Sequence, residues 1–154
     1  LIEKIYKNPM YRTLRCDKYR IALMEKILRT YDSRDCVSKS NLALQLFLRS
    51  REQLDKNAQK VIKNLNESVK KCFTFKIIDT LVEAGSGSLP TEKIESVAIT
   101  IKSDALSPNK ISKKLRLCNS PIFNYIKNDL VHIDFKAITD DQLDVISEQI
   151  NTCL

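Results

Sequence analysis

The sequence is poor in the residues that mark several common classes of protein. It has two glycines, one histidine and no tryptophan, and no apolar run approaches the roughly 20 residues that span a bilayer. The five cysteines are widely spaced without a C-x-x-C pair, which argues against a disulfide framework or a zinc site and for reduced thiols. We therefore expect a cytoplasmic globular protein with no membrane segment and no metal site. Because it starts at Leu1 rather than Met, we also expect it to be a piece of something longer.

What the chain has in excess is positive charge. Lys and Arg number 26 against 19 Asp and Glu, which gives a formal net charge of +7. A basic surface attracts phosphate-rich partners. The basic residues are spread along the whole chain, however, with only the short runs Lys70-Lys71 and Lys113-Lys114, and no basic stripe carries interleaved aromatic residues that would stack bases. A non-enzymatic basic RNA-binding module is therefore one hypothesis among others.

Helical periodicity dominates residues 1–70, which we expect to form a helical linker region. Three helices are predicted there, namely residues 1–7, residues 17 to about 31 with Asp17 as N-cap, and residues 38 to about 69 with Ser38 as N-cap. The first should end before Pro9, because the residue that precedes a proline disfavours the α conformation. Residues 10–16 are predicted to be extended or irregular.

Residues 71–154 predict a small α+β C-terminal domain with the order β-β-α-β-β-α. The predicted elements are strands at 73–81 and 97–101, a helix from Ser107-Pro108, a hairpin of 122–126 and 130–135, and a helix behind the capping box Thr139–Gln142. The hairpin turn should have about three residues, 127–129. Strands joined by hairpins and short connections favour an antiparallel or mixed sheet with helices on one face.

Few residues are candidates for chemistry, and the sequence predicts no catalytic group. His132 is predicted to lie on the more exposed face of its strand, as a structural or surface residue, since acid–base catalysis requires an oriented partner. Asp140 and Asp141 fit helix capping better than a metal pair. Both glycines lie in the segment 85–90 (GSGSLP), which predicts a tight connection.

Arg12 and Arg15 form a candidate anion-binding pair close to the start of a helix. Two guanidinium groups this close repel each other unless an anion lies between them, and arginine makes forked contacts to phosphate. From the residues alone, two solvated surface arginines are the competing interpretation.

Three segments together resemble bacterial selenocysteine synthase, L-seryl-tRNA(Sec) selenium transferase. They are 8–18 (NPMYRTLRCDK) with the helix that ends ILRTY, 85–90 (GSGSLP), and 121–126 (PIFNYI) through 133–135 (IDF). The resemblance implies a fold type I enzyme in which this chain is the C-terminal domain, inactive alone. It also implies the cofactor pyridoxal phosphate, the substrates seryl-tRNA(Sec) and selenophosphate, and a homo-oligomer.

The resemblance assigns roles to a few residues. Arg12 and Arg15 match the arginine pair implied to hold the phosphate-like part of the selenium donor, and Ser86, Gly87 and Ser88 are a candidate cleft loop. The family's Schiff-base lysine is implied to lie in a glycine-containing segment upstream of Leu1.

The sequence also departs from the family pattern, because Asn124-Tyr125 stand where the family's hairpin carries a glycine–arginine pair. A related pyridoxal-phosphate lyase acting on a small phosphorylated amine, with Arg12 and Arg15 holding the substrate phosphate, is a second enzyme hypothesis.

Overall fold

The computed structural model describes residues 1–13, 16–31, 41–84 and 89–154. The chain forms two compact units, Leu1–Gln45 and Leu46–Leu154. None of the helices in the described ranges is long and apolar enough to cross a membrane. The predicted division into a helical linker region, 1–70, and a C-terminal domain, 71–154, stays a prediction.

The first unit is helical. It contains α1 (Ile2–Tyr6), a 3-10 turn (Pro9–Arg12) and α2 (Lys18–Arg29), which confirms the two helices predicted before residue 32. Residues 10–16 were predicted to be extended or irregular, and this prediction is wrong for residues 10–12, which belong to the 3-10 turn. The turn forms because the Asn8 side chain accepts a hydrogen bond from the Met10 N–H at 2.9 Å and proline is pre-set for a first helical position.

The single helix predicted to reach about residue 69 is wrong, because the chain forms three shorter ones. These are α3 (Leu42–Leu48), α4 (Arg51–Lys63) and α5 (Glu67–Cys72); Ser38 lies outside the described residues. Ser50 begins α4 through a capping box with Gln53. The break before it is held in place by Arg49, whose guanidinium donates to the Ile138 carbonyl and to Asp140.

The second unit contains a four-stranded antiparallel sheet with the spatial order β1-β2-β4-β3. Its strands are β1 (Thr74–Ala84), β2 (Leu89–Lys102), β3 (Tyr125–Lys127) and β4 (Leu130–Asp134). Helix α6 (Pro108–Arg116) connects β2 to β3, and α7 (Leu143–Cys153) follows β4 after a 3-10 turn, Asp140–Gln142. The predicted α+β class and the order β-β-α-β-β-α are therefore confirmed.

Strand β2 begins eight residues before the predicted start at Val97. Its first part pairs only with β1, as in the pairs Leu81 with Glu95 and Glu83 with Lys93. Strand β4 is its second neighbour only from Ala98 to Ile101. A two-stranded arm buries neither face fully, so its sequence lacks the apolar alternation that marks a half-buried strand.

The core lies between one face of the sheet and helices α4, α6 and α7. Its buried members include Leu54, Ala58 and Val61 of α4, Val97, Ile99 and Ile101 of β2, Ile111 and Leu115 of α6, Val131 and Ile133 of β4, and Leu143, Ile146 and Ile150 of α7. Alternate residues of the same strands, among them Ser96, Thr100 and His132, occupy the other face, because strand side chains alternate.

Local chemistry at the turns and caps agrees with most predictions. Proline occupies the first turn of α6 as predicted, although the Ser107 side chain makes no capping hydrogen bond. Thr139 donates its N–H to Gln142 Oε1 at 3.0 Å, as expected for a capping box. The hairpin turn is tighter than predicted, because only Asn128 and Asp129 separate the strands, with φ values of 51° and 57°.

Two cysteines contradict the expectation of reduced thiols. Cys118, just after α6, is paired in a disulfide with Cys153 at the end of α7, with their Cα atoms 6.2 Å apart. The sequence did not indicate this pair, because 35 residues separate the two positions and only the packing of α6 against α7 brings them together. Cys16 and Cys72 are free and exposed.

Candidate functional site

The predicted anion-binding pair lies at the edge of the described part of the chain. Arg12 is the last residue of the 3-10 turn Pro9–Arg12, and the structure describes its backbone only. Arg15 lies outside the described residues, as do Ser86, Gly87 and Ser88. The role of all five residues stays a prediction.

The backbone on both sides of the arginine pair is fixed by local contacts. Between the two arginines, Thr13 Oγ1 donates to the Met10 carbonyl at 2.6 Å, and before the pair the Tyr6 and Tyr11 rings lie 5.5 Å apart. After it, Asp17 accepts a hydrogen bond from the Arg20 N–H at 2.9 Å and so begins α2. The capped helix start is the one that the sequence predicted.

A groove of about 600 Å³ lies in the second unit, lined by His132, Tyr125, Ser96 and other residues of the sheet. The His132 imidazole is stacked on the Tyr125 ring, with centroids 4.9 Å apart and planes 11° apart. Only 4% of His132 is exposed, so the prediction of an exposed histidine is wrong. The reason is the hairpin register, which sets Tyr125 directly opposite His132.

Among the residues that the structure describes, His132 has no carboxylate partner of the kind that acid–base catalysis requires. Its Nδ1 lies 3.0 Å from the carbonyl oxygen of Leu130, a neutral acceptor, rather than from a carboxylate. Burial raises the pKa of the Tyr125 hydroxyl, with a smaller contribution from Asp134. Stacking and burial identify His132 as a structural residue, which agrees with the sequence interpretation apart from its exposure.

Asp134 lies close to the same groove, and its oxygens are already occupied. Its carboxylate accepts hydrogen bonds from Ser96 Oγ at 2.6 Å, from Thr80 Oγ1 at 2.7 Å and from the Lys136 N–H at 3.0 Å. Each of the two carboxylate oxygens therefore already accepts at least one hydrogen bond from the protein. In the described ranges, no cluster of His, Cys, Asp and Glu is arranged to hold a metal ion.

The two residues that depart from the family pattern have defined contacts. Asn124 Nδ2 donates to the carbonyl of Ile122 at 2.9 Å and lies 3.5 Å from that of Ser112 in α6. Its Oδ1 is buried without a hydrogen-bond partner in the described part of the chain. Tyr125 covers His132. These residues therefore shape the hairpin and its contact with α6.

One group of residues was missed by the sequence interpretation, which noted only the run Lys113-Lys114. Helix α6 carries four exposed cations, Lys110, Lys113, Lys114 and Arg116. Their spacing within nine residues and the absence of any carboxylate between them could have been found in the sequence.

Comparisons with known proteins give a consistent result. A family model described as L-seryl-tRNA selenium transferase (SelA) matches residues 1–139. A protein named L-seryl-tRNA(Sec) selenium transferase from Desulfotalea psychrophila is 29% identical over 147 residues, which are 95% of this chain and 31% of that protein. Proteins of the same name from Clostridium botulinum (strain Hall) and Mannheimia succiniciproducens are both 31% identical, over 99% and 90% of the chain. The chain spans about a third of the length of these curated relatives.

Proposed function

The chain belongs to the L-seryl-tRNA selenium transferase family, and on that premise we propose that it is the C-terminal part of an enzyme that converts seryl-tRNA(Sec) into selenocysteinyl-tRNA(Sec). The observation that carries the proposal is the family match over residues 1–139, together with relatives of that name that align with nearly all of the chain. The lyase and the RNA-binding module have no comparable support. The enzyme acts in the cytoplasm as a homo-oligomer, with residues 1–70 as its helical linker region and 71–154 as its small domain.

Within this function, Arg12 and Arg15 hold the phosphate-like end of selenophosphate. A polyanionic donor must be brought close to the reacting carbon, and fixed cations both attract it and limit its orientations. Arginine suits this role because its planar guanidinium makes paired contacts to phosphate oxygens. The 3-10 turn that contains Arg12, the hydrogen bond from Thr13 to Met10 and the capped start of α2 support such positioning. Ser86, Gly87 and Ser88 are proposed to line the same cleft.

Pyridoxal phosphate, when bound, supplies the electron sink for the chemistry at the seryl group. The residues of this chain offer no counterpart to the family's Schiff-base lysine, because neither Gly85 nor Gly87 has a lysine beside it. We therefore assign the cofactor to the part of the enzyme outside this chain and expect the chain alone to be inactive. The role assigned to this chain is to bind and orient the selenium donor.

The experiment compares arginine variants of the full-length enzyme with a control variant. Arg12→Ala and Arg15→Ala should each lower kcat/KM for selenophosphate by about 10- to 100-fold, the loss expected for a charge-assisted hydrogen bond. The visible absorbance of the bound cofactor should not change. Arg29→Ala is the matched control, because Arg29 is exposed and pairs with Glu25 on α2 at 2.7 Å. Wild-type turnover in both Arg12→Ala and Arg15→Ala would remove the site assignment.

A second experiment tests the function itself. The full-length gene is introduced into a strain that lacks selenocysteine synthase, and selenoprotein synthesis is measured. Restoration is the expected result. A folded, cofactor-loaded protein that fails to restore it would contradict the proposed reaction and favour the lyase hypothesis.

A further inference from the structure

Helix α6 (Pro108–Arg116) has a strongly basic exposed surface. Lys110, Lys113, Lys114 and Arg116 are all exposed, and the helix contains no carboxylate. Three of these residues lie in the last turn, where cations interact favourably with the helix dipole. Lys110 is different, because it lies in the first turn, where the dipole disfavours a positive charge. Helix stability therefore does not account for the whole set.

The four cations fall into two pairs with different contacts. Lys114 Nζ donates to the carbonyl of Cys153 at 3.2 Å, and Arg116 Nη2 donates to the carbonyl of Asn124 at 3.0 Å. Lys110 and Lys113 make no side-chain hydrogen bond or ion pair within the described ranges. They are three residues apart, so they lie on the same side of the helix. Two neighbouring, unpaired ammonium groups repel each other and attract an anion.

An exposed aromatic residue lies beside the end of the same helix. Phe123 is 89% exposed, although it is a large apolar side chain. The segment around it is held against α6 by the hydrogen bond from the Ile122 N–H to the Leu115 carbonyl at 2.9 Å. Cations that contact phosphates and an aromatic ring that stacks on a base are the two features of surfaces that bind single-stranded nucleic acid.

We propose that Lys110, Lys113, Arg116 and Phe123, here called the α6 surface, bind RNA in the full-length enzyme. The lysines contact the phosphate backbone, and Phe123 stacks on an unpaired base. The inference rests on the proposed function, which makes an RNA the substrate, and it adds an RNA contact separate from the selenium-donor arginines. The contact is independent of base sequence, because ammonium groups and stacking read no base edges.

The test measures binding of the full-length enzyme to unacylated tRNA(Sec) by filter binding over a range of salt concentrations. Each phosphate contact contributes about 0.7 to 0.9 to the slope of log K against log salt. The double variant Lys110→Ala/Lys113→Ala should therefore reduce the slope by about 1.5 and weaken binding at least tenfold at low salt. Phe123→Ala should weaken binding by about fivefold or more with an unchanged slope.

The matched control is Lys56→Ala/Lys63→Ala, which removes two exposed lysines of α4 and so makes the same change in net charge. Wild-type affinity and slope in the α6 double variant would overturn the proposal. An equal loss in the control would also overturn it, because net charge alone would then explain binding. Circular dichroism checks that each variant is folded.

Failure of this proposal can be separated from failure of the proposed function. In a selenium-transfer assay, the α6 double variant should show a raised KM for tRNA and an unchanged kcat at saturating tRNA. The wild-type enzyme could transfer no selenium while the α6 double variant binds RNA more weakly than the wild type. This result would refute the proposed reaction and leave the RNA contact supported. Normal selenium transfer by the wild-type enzyme, with an unchanged KM for tRNA in the α6 double variant, would refute the proposed RNA contact alone.

Discussion

Ser96 donates its hydroxyl to Asp134 across 2.6 Å and thereby links β2 to β4 on the face of the sheet that is turned away from the core. Thr80 of β1 donates to the other carboxylate oxygen at 2.7 Å. One acidic side chain therefore joins three of the four strands. Ser96 is only 1% exposed, so its hydroxyl has little access to water in place of this partner.

The first prediction concerns this carboxylate. Asp134→Ala should lower the free energy of unfolding by about 1–3 kcal/mol, because a buried hydroxyl loses its acceptor. Asp134→Asn should have a smaller effect, since an amide oxygen in place of Oδ1 can still accept the hydrogen bonds from Ser96 and from the Lys136 N–H. Urea unfolding of the 154-residue chain measures both. Asp104→Ala, at an exposed bend, is the control, and an equal change in the two alanine variants would contradict the assigned role.

The second prediction concerns the start of α4. The Gln53 N–H donates to Ser50 Oγ at 3.3 Å, and the Ser50 N–H donates to Gln53 Oε1 at 3.1 Å. Ser50→Ala should lower the free energy of unfolding by about 1 kcal/mol, the usual effect of losing an N-cap. Ser68→Ala, at the exposed second position of α5, removes no N-cap and should be neutral or slightly stabilising. Thermal unfolding that shows no difference between the two variants would mean that the cap is not needed.

Sequence patterns predicted the helices and strands well but their ends less well. The apolar rhythm of Leu44, Phe47 and Leu54 continues across the break at Arg49-Ser50, so periodicity alone suggested one helix. Arg49 stabilises the break by reaching Ile138 and Asp140, residues 89 and 91 positions away, and a single sequence does not display such contacts. The capping box of Ser50 and Gln53, by contrast, is a local signal that could have marked the start of α4.

The candidate site shows the same limit. The arginine pair and the cations of α6 are local patterns, so they can be found from spacing and residue type. The burial of His132 could not be found in this way, because it depends on the Tyr125 ring that the hairpin register sets opposite it. Strand alternation predicts which side chains share a face, but it does not predict which neighbour covers them.

The third prediction concerns the hairpin turn. Asn128 and Asp129 both have positive φ values, 51° and 57°, in a two-residue turn between β3 and β4. Such turns prefer glycine at the second position, because glycine has no Cβ to clash in the left-handed conformation. Asp129→Gly should raise the free energy of unfolding by up to about 1 kcal/mol, after the larger entropy of the unfolded glycine chain is subtracted.

The reciprocal variant, Asp129→Val, provides the comparison. A β-branched residue is disfavoured at positive φ, so this variant should be less stable than the parent chain. Urea unfolding of both variants measures the change in the free energy of unfolding, which should be positive for Asp129→Gly and negative for Asp129→Val. A valine variant as stable as the glycine variant would show that the turn adopts a different conformation.

The fourth prediction concerns the pair Cys118–Cys153. Their Cα distance of 6.2 Å lies within the range that a disulfide bridges, and the closed loop has 35 residues. A loop of this length should stabilise the oxidised chain by about 4 kcal/mol in the chain-entropy model. Thermal unfolding should therefore occur at a lower temperature once a reductant is added.

Counting thiols tests the pair directly. The purified chain is unfolded and alkylated before and after reduction, and its mass is measured. The number of alkylated cysteines should rise by two on reduction, and Cys153→Ser should abolish the rise. Cys72→Ser is the control, because Cys72 is free and its loss should lower both counts by one. If the count does not change on reduction even after purification in air, the sequence expectation of reduced thiols is correct for this pair as well, and α6 and α7 are held together by packing and by the hydrogen bond from Lys114 to the Cys153 carbonyl.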